Sequence, residues 1–168
     1  MRRKYVFTFL SFILLLMACT PEVEKETNKL LSSGVQYIGG QQNIINKLET
    51  LPIEYKNVRM IDLSLEEYKF VIIEPNFINN ISKELVVQAL QANYYLFFIN
   101  VEDPRLIKEA FLHTGTIDDK KRDKIWAEQL YLEGNQLKSF IFSIEPNFDE
   151  ELLEWLQYFD QYKVRNRE

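Results

Sequence analysis

"KFVIIEPNF", Lys69 to Phe77, is the stretch on which the fold turns. Lys69 to Glu74 is an apolar run of the length of a buried strand, without the alternation of a half-exposed one. Glu74 precedes Pro75, which biases it towards an extended backbone. Pro75 has no N–H to continue a ladder, so the strand ends at Ile73. Asn76 is a candidate helix N-cap, with Asn79, Asn80 and Ser82 as competitors. The pentapeptide recurs 71 residues later as Ile144 to Phe148, where Asn147 and Glu150 have capping-box spacing. Both copies read as punctuation between a strand and a helix. The functional reading rests on one fact: ligands of open α/β sheets bind outside the carboxyl ends of the strands. Glu74 and Asn76 stand at such an end.

Working outward, Ile81 to Asn93 places Ile81, Leu85, Ala89 and Leu90 on one helical face. Tyr95 to Val101, "YLFFINV", is a second buried strand, with Asn100 and Glu102 at its carboxyl end. Asp103-Pro104 opens a helix whose apolar side is Leu106, Ile107, Ala110 and Phe111. Ile125 to Leu132 and Leu137 to Ile144 flank Gly134-Asn135, residues suited to the positive φ of a tight hairpin. Phe148, Leu152, Leu156 and Phe159 then recur at helical spacing, with Trp155 beside them. Upstream, Ile44, Ile45 and Leu48 predict a short helix ending before Pro52, and Lys56 to Leu63 alternates as a strand.

The amino terminus carries a different signal. Arg2, Arg3 and Lys4 precede Tyr5 to Met17, thirteen uncharged and mostly apolar residues. A spanning helix needs about 20 such residues, so this run reads as a secretory h-region. It ends in Leu16-Met17-Ala18-Cys19, which resembles the lipobox of bacterial lipoproteins, and Cys19 is the only cysteine. The resemblance implies cleavage before Cys19 and a thioether from Cys19 to diacylglycerol. It implies a lipid-anchored protein on the extracytoplasmic face of a cell membrane. Residues 1–18 are then the signal peptide, 19–40 the anchor and a flexible tether with Gly34, Gly39 and Gly40 as joints, and 41–168 one globular domain. Removing Met1 to Ala18 takes three cations away, so the formal charge moves from −5 to −8. So acidic a chain is not expected to bind nucleic acid or to be drawn electrostatically to anionic lipid.

From Lys69 the predicted order is β-α-β-α-β-β-α, with an added strand and helix before it and a mixed sheet. This order resembles the thioredoxin fold. "FINVEDPRLIKEAF" is similar to the strand of that family that runs into its proline-opened helix, "LYLEGNQLKSFIF" to its hairpin and "DEELLEWL" to its last helix. The likeness covers residues 55 to 163. The family carries a Cys-x-x-Cys pair after its first core strand, where Pro75 to Asn80 reads "PNFINN". It carries a cis-proline before its third, where Lys124 to Glu128 reads "KIWAE". Disulfide exchange and peroxide reduction both start from a thiolate. With Cys19 in a thioether the mature chain has no thiol, so the domain is expected to be a redox-inactive relative and not a thiol–disulfide oxidoreductase.

Other chemistries find little support. His113 is the single histidine, and no nucleophile turn of the G-x-S-x-G kind accompanies it. No metal or cofactor is expected; Glu102, Asp103, Asp118 and Asp119 match no calcium-loop spacing. The expected function is non-catalytic recognition of a protein or peptide partner at the cell envelope. The alternative is a small envelope enzyme or a ligand-capturing transport accessory, using Glu74, Asn76, Asn100 and Glu102 at the strand ends.

Overall fold

A computed structural model describes residues 29–103, 105–112, 126–143 and 148–167. The expected signal peptide, Cys19, His113, Asp118-Asp119 and the second pentapeptide up to Asn147 lie outside the described residues. The elements are β1 (Val35–Ile38), α1 (Gln42–Thr50), β2 (Tyr55–Asn57), β3 (Phe70–Ile73), a 3-10 helix (Pro75–Asn80), α2 (Lys83–Gln91), β4 (Tyr95–Val101), α3 (Arg105–Ile107) continued as a π turn (Lys108–Leu112), β5 (Trp126–Glu133), β6 (Gln136–Ser143) and α4 (Leu152–Tyr162). The fold is α/β with a six-stranded mixed sheet, ordered β2-β1-β3-β4-β5-β6. The first four strands are parallel; β5 runs antiparallel to β4, and β6 runs antiparallel to β5 and so in the direction of the first four. The predicted β-α-β-α-β-β-α order holds from β3 to α4, and the layout is compatible with a thioredoxin-like α/β fold.

Apolar side chains alternate between two faces. Val71, Ile73, Leu96, Phe98, Leu130 and Leu132 pack with α2, α3 and the π turn. Val35, Phe70, Ile72, Phe97, Ile99 and Ala127 pack with α1 and α4. Phe97 centres the second layer, with ring centroids 4.9 Å from Phe70 and 5.0 Å from Phe159. At the end of β4 the alternation is reset. Asn100 has φ 54°, the left-handed region that asparagine tolerates better than most residues, and the pairing with β5 slips between Phe98 and Val101. Val101 therefore returns to the α2 side.

Two expectations are corrected. Residues 35–38, placed in the tether, form β1, a fully buried strand between β2 and β3. The domain thus begins before residue 41, and Leu31 is already buried. The strand expected over Lys56 to Leu63 shrinks to Tyr55–Asn57. The chain from Val58 to Lys69 is instead held by Gln36. That fully buried side chain donates to the carbonyls of Asp62 and Tyr68, each at 2.9 Å, and accepts from the Asp62 N–H at 2.9 Å.

Gln129 acts similarly on the last residues. It donates to the Val164 carbonyl at 2.8 Å and accepts from the Val164 N–H at 2.7 Å. Arg167 then continues beside β5, its N–H donating to the Leu132 carbonyl at 3.0 Å. At the other end, Ser32 is clamped to α4. Its N–H and hydroxyl donate to the Asp160 carboxylate at 2.9 and 2.6 Å, and Lys163 donates to the same hydroxyl at 2.8 Å.

Gln36→Leu keeps the bulk and removes all three of its hydrogen bonds, leaving buried loop groups unpaired. It is expected to cost about 1–3 kcal/mol in chemical denaturation and to speed amide exchange at Asp62.

Candidate functional site

The chain leaves β1 to one side for β2 and returns to the other for β3. The crevice beyond the carboxyl ends of β1 and β3 is therefore the topological switch point, where open α/β sheets hold ligands. Glu74 stands there, 2% exposed. Its backbone is extended (φ −81°, ψ 143°), as its place before Pro75 requires. Its side chain falls on the α1 face, together with that of Tyr37.

Three donors converge on this carboxylate. The Gly40 N–H reaches Oε2 at 3.1 Å, the Gln41 N–H reaches Oε1 at 3.2 Å, and the Tyr37 hydroxyl donates to Oε1 in a short hydrogen bond. Burial, reinforced by the neighbouring carboxylate, pushes the Tyr37 hydroxyl far above its ordinary pKa, so it remains a donor. Gly40 and Gln41 lead into α1, whose N-cap makes no side-chain capping bond and whose first turn has no acidic residue. Glu74, from a different strand, thus supplies the negative charge that a helix start favours.

Gly39 is not a flexible joint. A Cβ there would lie 2.4 Å from the Tyr37 hydroxyl and 2.7 Å from the Glu74 carboxyl carbon. Glycine is required because the backbone wraps this side-chain pair.

The other candidates sit on the rim of the same end. Asn100 is half-buried and donates to the Gln41 side-chain oxygen at 3.4 Å, so it joins the Glu74 cluster through Gln41. Asn76 and Glu102 are exposed. Asn76 lies inside the 3-10 helix and caps nothing; Ser82 caps α2 instead, accepting from the Leu85 N–H at 3.1 Å. Asp103 takes its expected place before α3, its carboxylate accepting from the Arg105 N–H at 3.0 Å. Among the described residues, no group of three or more His, Cys, Asp or Glu is placed to hold a metal ion. A described cavity of about 180 Å³, lined in part by Leu31, Gly34, Pro52 and Glu54, lies at the opposite, amino-terminal end of the sheet.

A second buried carboxyl went unnoticed in the sequence. Glu128, on β5, is fully buried opposite Phe98, on the face it shares with Leu130 and Leu132. Among the described residues neither of its oxygens has a hydrogen bond of normal geometry. Burial raises its pKa above the usual value, and Ser139 and Lys108 offset only part of that. Only the alternation of "WAEQLYLE" could have placed it inward; its charge argued for solvent.

Comparison with protein-family models, with curated proteins and with solved structures finds no match for this chain.

Two outcomes are expected. Gly39→Ala forces Tyr37 and Glu74 apart and costs about 1–3 kcal/mol of unfolding free energy. Glu128 binds its proton more tightly folded than unfolded, so its contribution is complete below the unfolded value of 4.5 and is lost as pH rises through the raised folded value. Stability should fall there by up to about 1.4 kcal/mol per pH unit. Glu128→Gln should remove that slope and be the more stable protein at neutral pH in urea titrations.

Proposed function

We propose that the chain is a lipoprotein anchored through Cys19 on the extracytoplasmic face of a cell membrane, where it recognises a protein or peptide partner without catalysis. The anchor is read from Leu16-Met17-Ala18-Cys19. Among the described residues no helix is long and apolar enough to cross a membrane.

The observation that carries the non-catalytic reading is the use of Glu74. A carboxylate that accepts from two backbone N–H groups and a buried tyrosine has no oxygen directed at a substrate. The switch point is filled from within, which leaves the strand ends as a closed surface rimmed by Asn76, Asn100 and Glu102. Polarity supports the same reading. The chain enters at Ser32, beside the amino-terminal ends of four parallel strands, so their carboxyl ends point away from the anchor. That is the side a partner can reach.

One observation favours the enzymatic or transport alternative. Asn100 holds a left-handed backbone at a strand end, and such strain clusters at working sites. Asn100→Gly relieves it and removes only the 3.4 Å contact to Gln41, leaving the three bonds to Glu74 in place. On the recognition reading this variant loses one rim contact, so partner capture weakens by no more than a few-fold while stability rises slightly. Complete loss of function in a stable, anchored Asn100→Gly protein would transfer the site to the alternative. Cys19→Ala should abolish the acyl mass and release the chain from the membrane fraction.

A further inference from the structure

The aromatic surface of α4 and β6 is not used by the strand-end site. Phe140 is 47% exposed, Tyr158 45% and Tyr162 52%. Their rings form one chain through the buried Phe142: centroids are 4.8 Å apart for Phe140–Phe142, 6.0 Å for Phe142–Tyr158 and 4.6 Å for Tyr158–Tyr162. The chain of rings begins at the carboxyl end of α4. There Asp160 and Lys163 clamp Ser32, at the point where the polypeptide enters the domain.

We propose that this strip, Phe140, Tyr158 and Tyr162, lies in the interfacial layer of the bilayer that holds the Cys19 anchor. The proposal rests on the anchored reading above. Three features point to lipid rather than to another occupant. The first is reach: Lys29 is ten residue steps from Cys19, a span of at most about 35 Å even when fully extended, and Ser32 is bonded to Asp160 and Lys163, at the end of α4 that carries Tyr162. The second is chemistry. Tyrosine has an apolar body and a polar tip, which suits the boundary between acyl chains and headgroups. The third is local charge. The chain as a whole is acidic, yet around the strip and in the tail that follows α4 Lys138, Lys163, Arg165 and Arg167 stand against Glu133, Asp160 and Glu168, with Lys138 paired to Glu133 and Lys163 to Asp160. Glu154, one turn beyond Tyr158, marks where the strip ends away from the anchor. Acyl chains supply the affinity; the strip sets which side of the domain faces the lipid and leaves the strand ends pointing outward.

The test uses the full chain in intact cells, with a photoreactive phenylalanine analogue at Phe140, at Tyr162 or at Asn76. Intact mass reports both acylation of Cys19 and the nature of any adduct. The expected result is an acylated chain with lipid adducts at 140 and 162 and none at 76. An acylated chain with adducts to protein or to a second copy at 140 and 162, with no adduct, or with lipid equally at 76, overturns the strip and leaves the anchor standing. An unacylated Cys19 overturns both.

Discussion

The corner where β1 passes into α1 depends on a carboxylate from elsewhere in the chain. Glu74 accepts from Gly40, Gln41 and Tyr37, and so ties the end of β3 to the start of a helix 32 residues earlier in sequence. Without it, α1 would begin with unpaired N–H groups and no cap of its own. Gly39 has to be glycine, Tyr37 has to stay protonated, and Pro75 has to hold Glu74 extended. One buried charge thus dictates the identity of several residues around it, and it is tolerated because every donor it needs is built into the backbone or locked beside it.

Much of the sheet is legible in the sequence. "YLFFINV" runs as β4 to the residue, since a seven-residue apolar run admits little else, and the hairpin follows from Gly134, whose φ is +58°. Phe148, Leu152, Leu156 and Phe159 are all buried, as their spacing requires. The central strand β1 was not legible. "GVQYIGG" is short, flanked by glycines and interrupted by Gln36, and these are the marks of a joint. The marks have tertiary causes: Gln36 holds a distant loop, and Gly39 makes room for two side chains that lie far apart in sequence. The bulge within β4 and the end of α3 were hidden for a related reason. The bulge at Asn100 and the π turn at Lys108–Leu112 break the periods that a sequence reading counts.

The same physics bears on the candidate site. Residue types at strand ends were readable as polar, but their orientation was not. Glu74 looked like a group offered to a ligand and is instead an internal ligand of the backbone. Asn76 looked like a cap, but the 3-10 helix moves the start of α2 on to Ser82. The two helices that start after β1 and β3 are therefore both served from inside the protein, one by Glu74 and one by Ser82. In the thioredoxin-like comparison a reactive thiol would follow the first core strand. That place is held here by Pro75 to Asn80, with Ile78 buried beneath it. The strand–helix connection here is made of structural groups.

Opposite ends of the sheet then carry different burdens. The end where the strands finish is closed by Glu74 and rimmed by the polar side chains of Asn76, Asn100 and Glu102. The end where the chain enters holds the Ser32–Asp160–Lys163 clamp, and the exposed rings rise from it along α4 and β6. Aromatic surface of this kind is costly to leave in water, so its retention beside the entry point requires a local reason. On the proposal made above, a neighbouring lipid surface would supply one, and the lysine and arginine residues around the end of α4 suit it. An entry point free to swing would leave the strip at no particular height or angle to any surface the chain was attached to. The bonds of Ser32 to Asp160 and Lys163 instead fix residue 32 to α4, so the direction from which the chain enters and the direction the strip faces are set together.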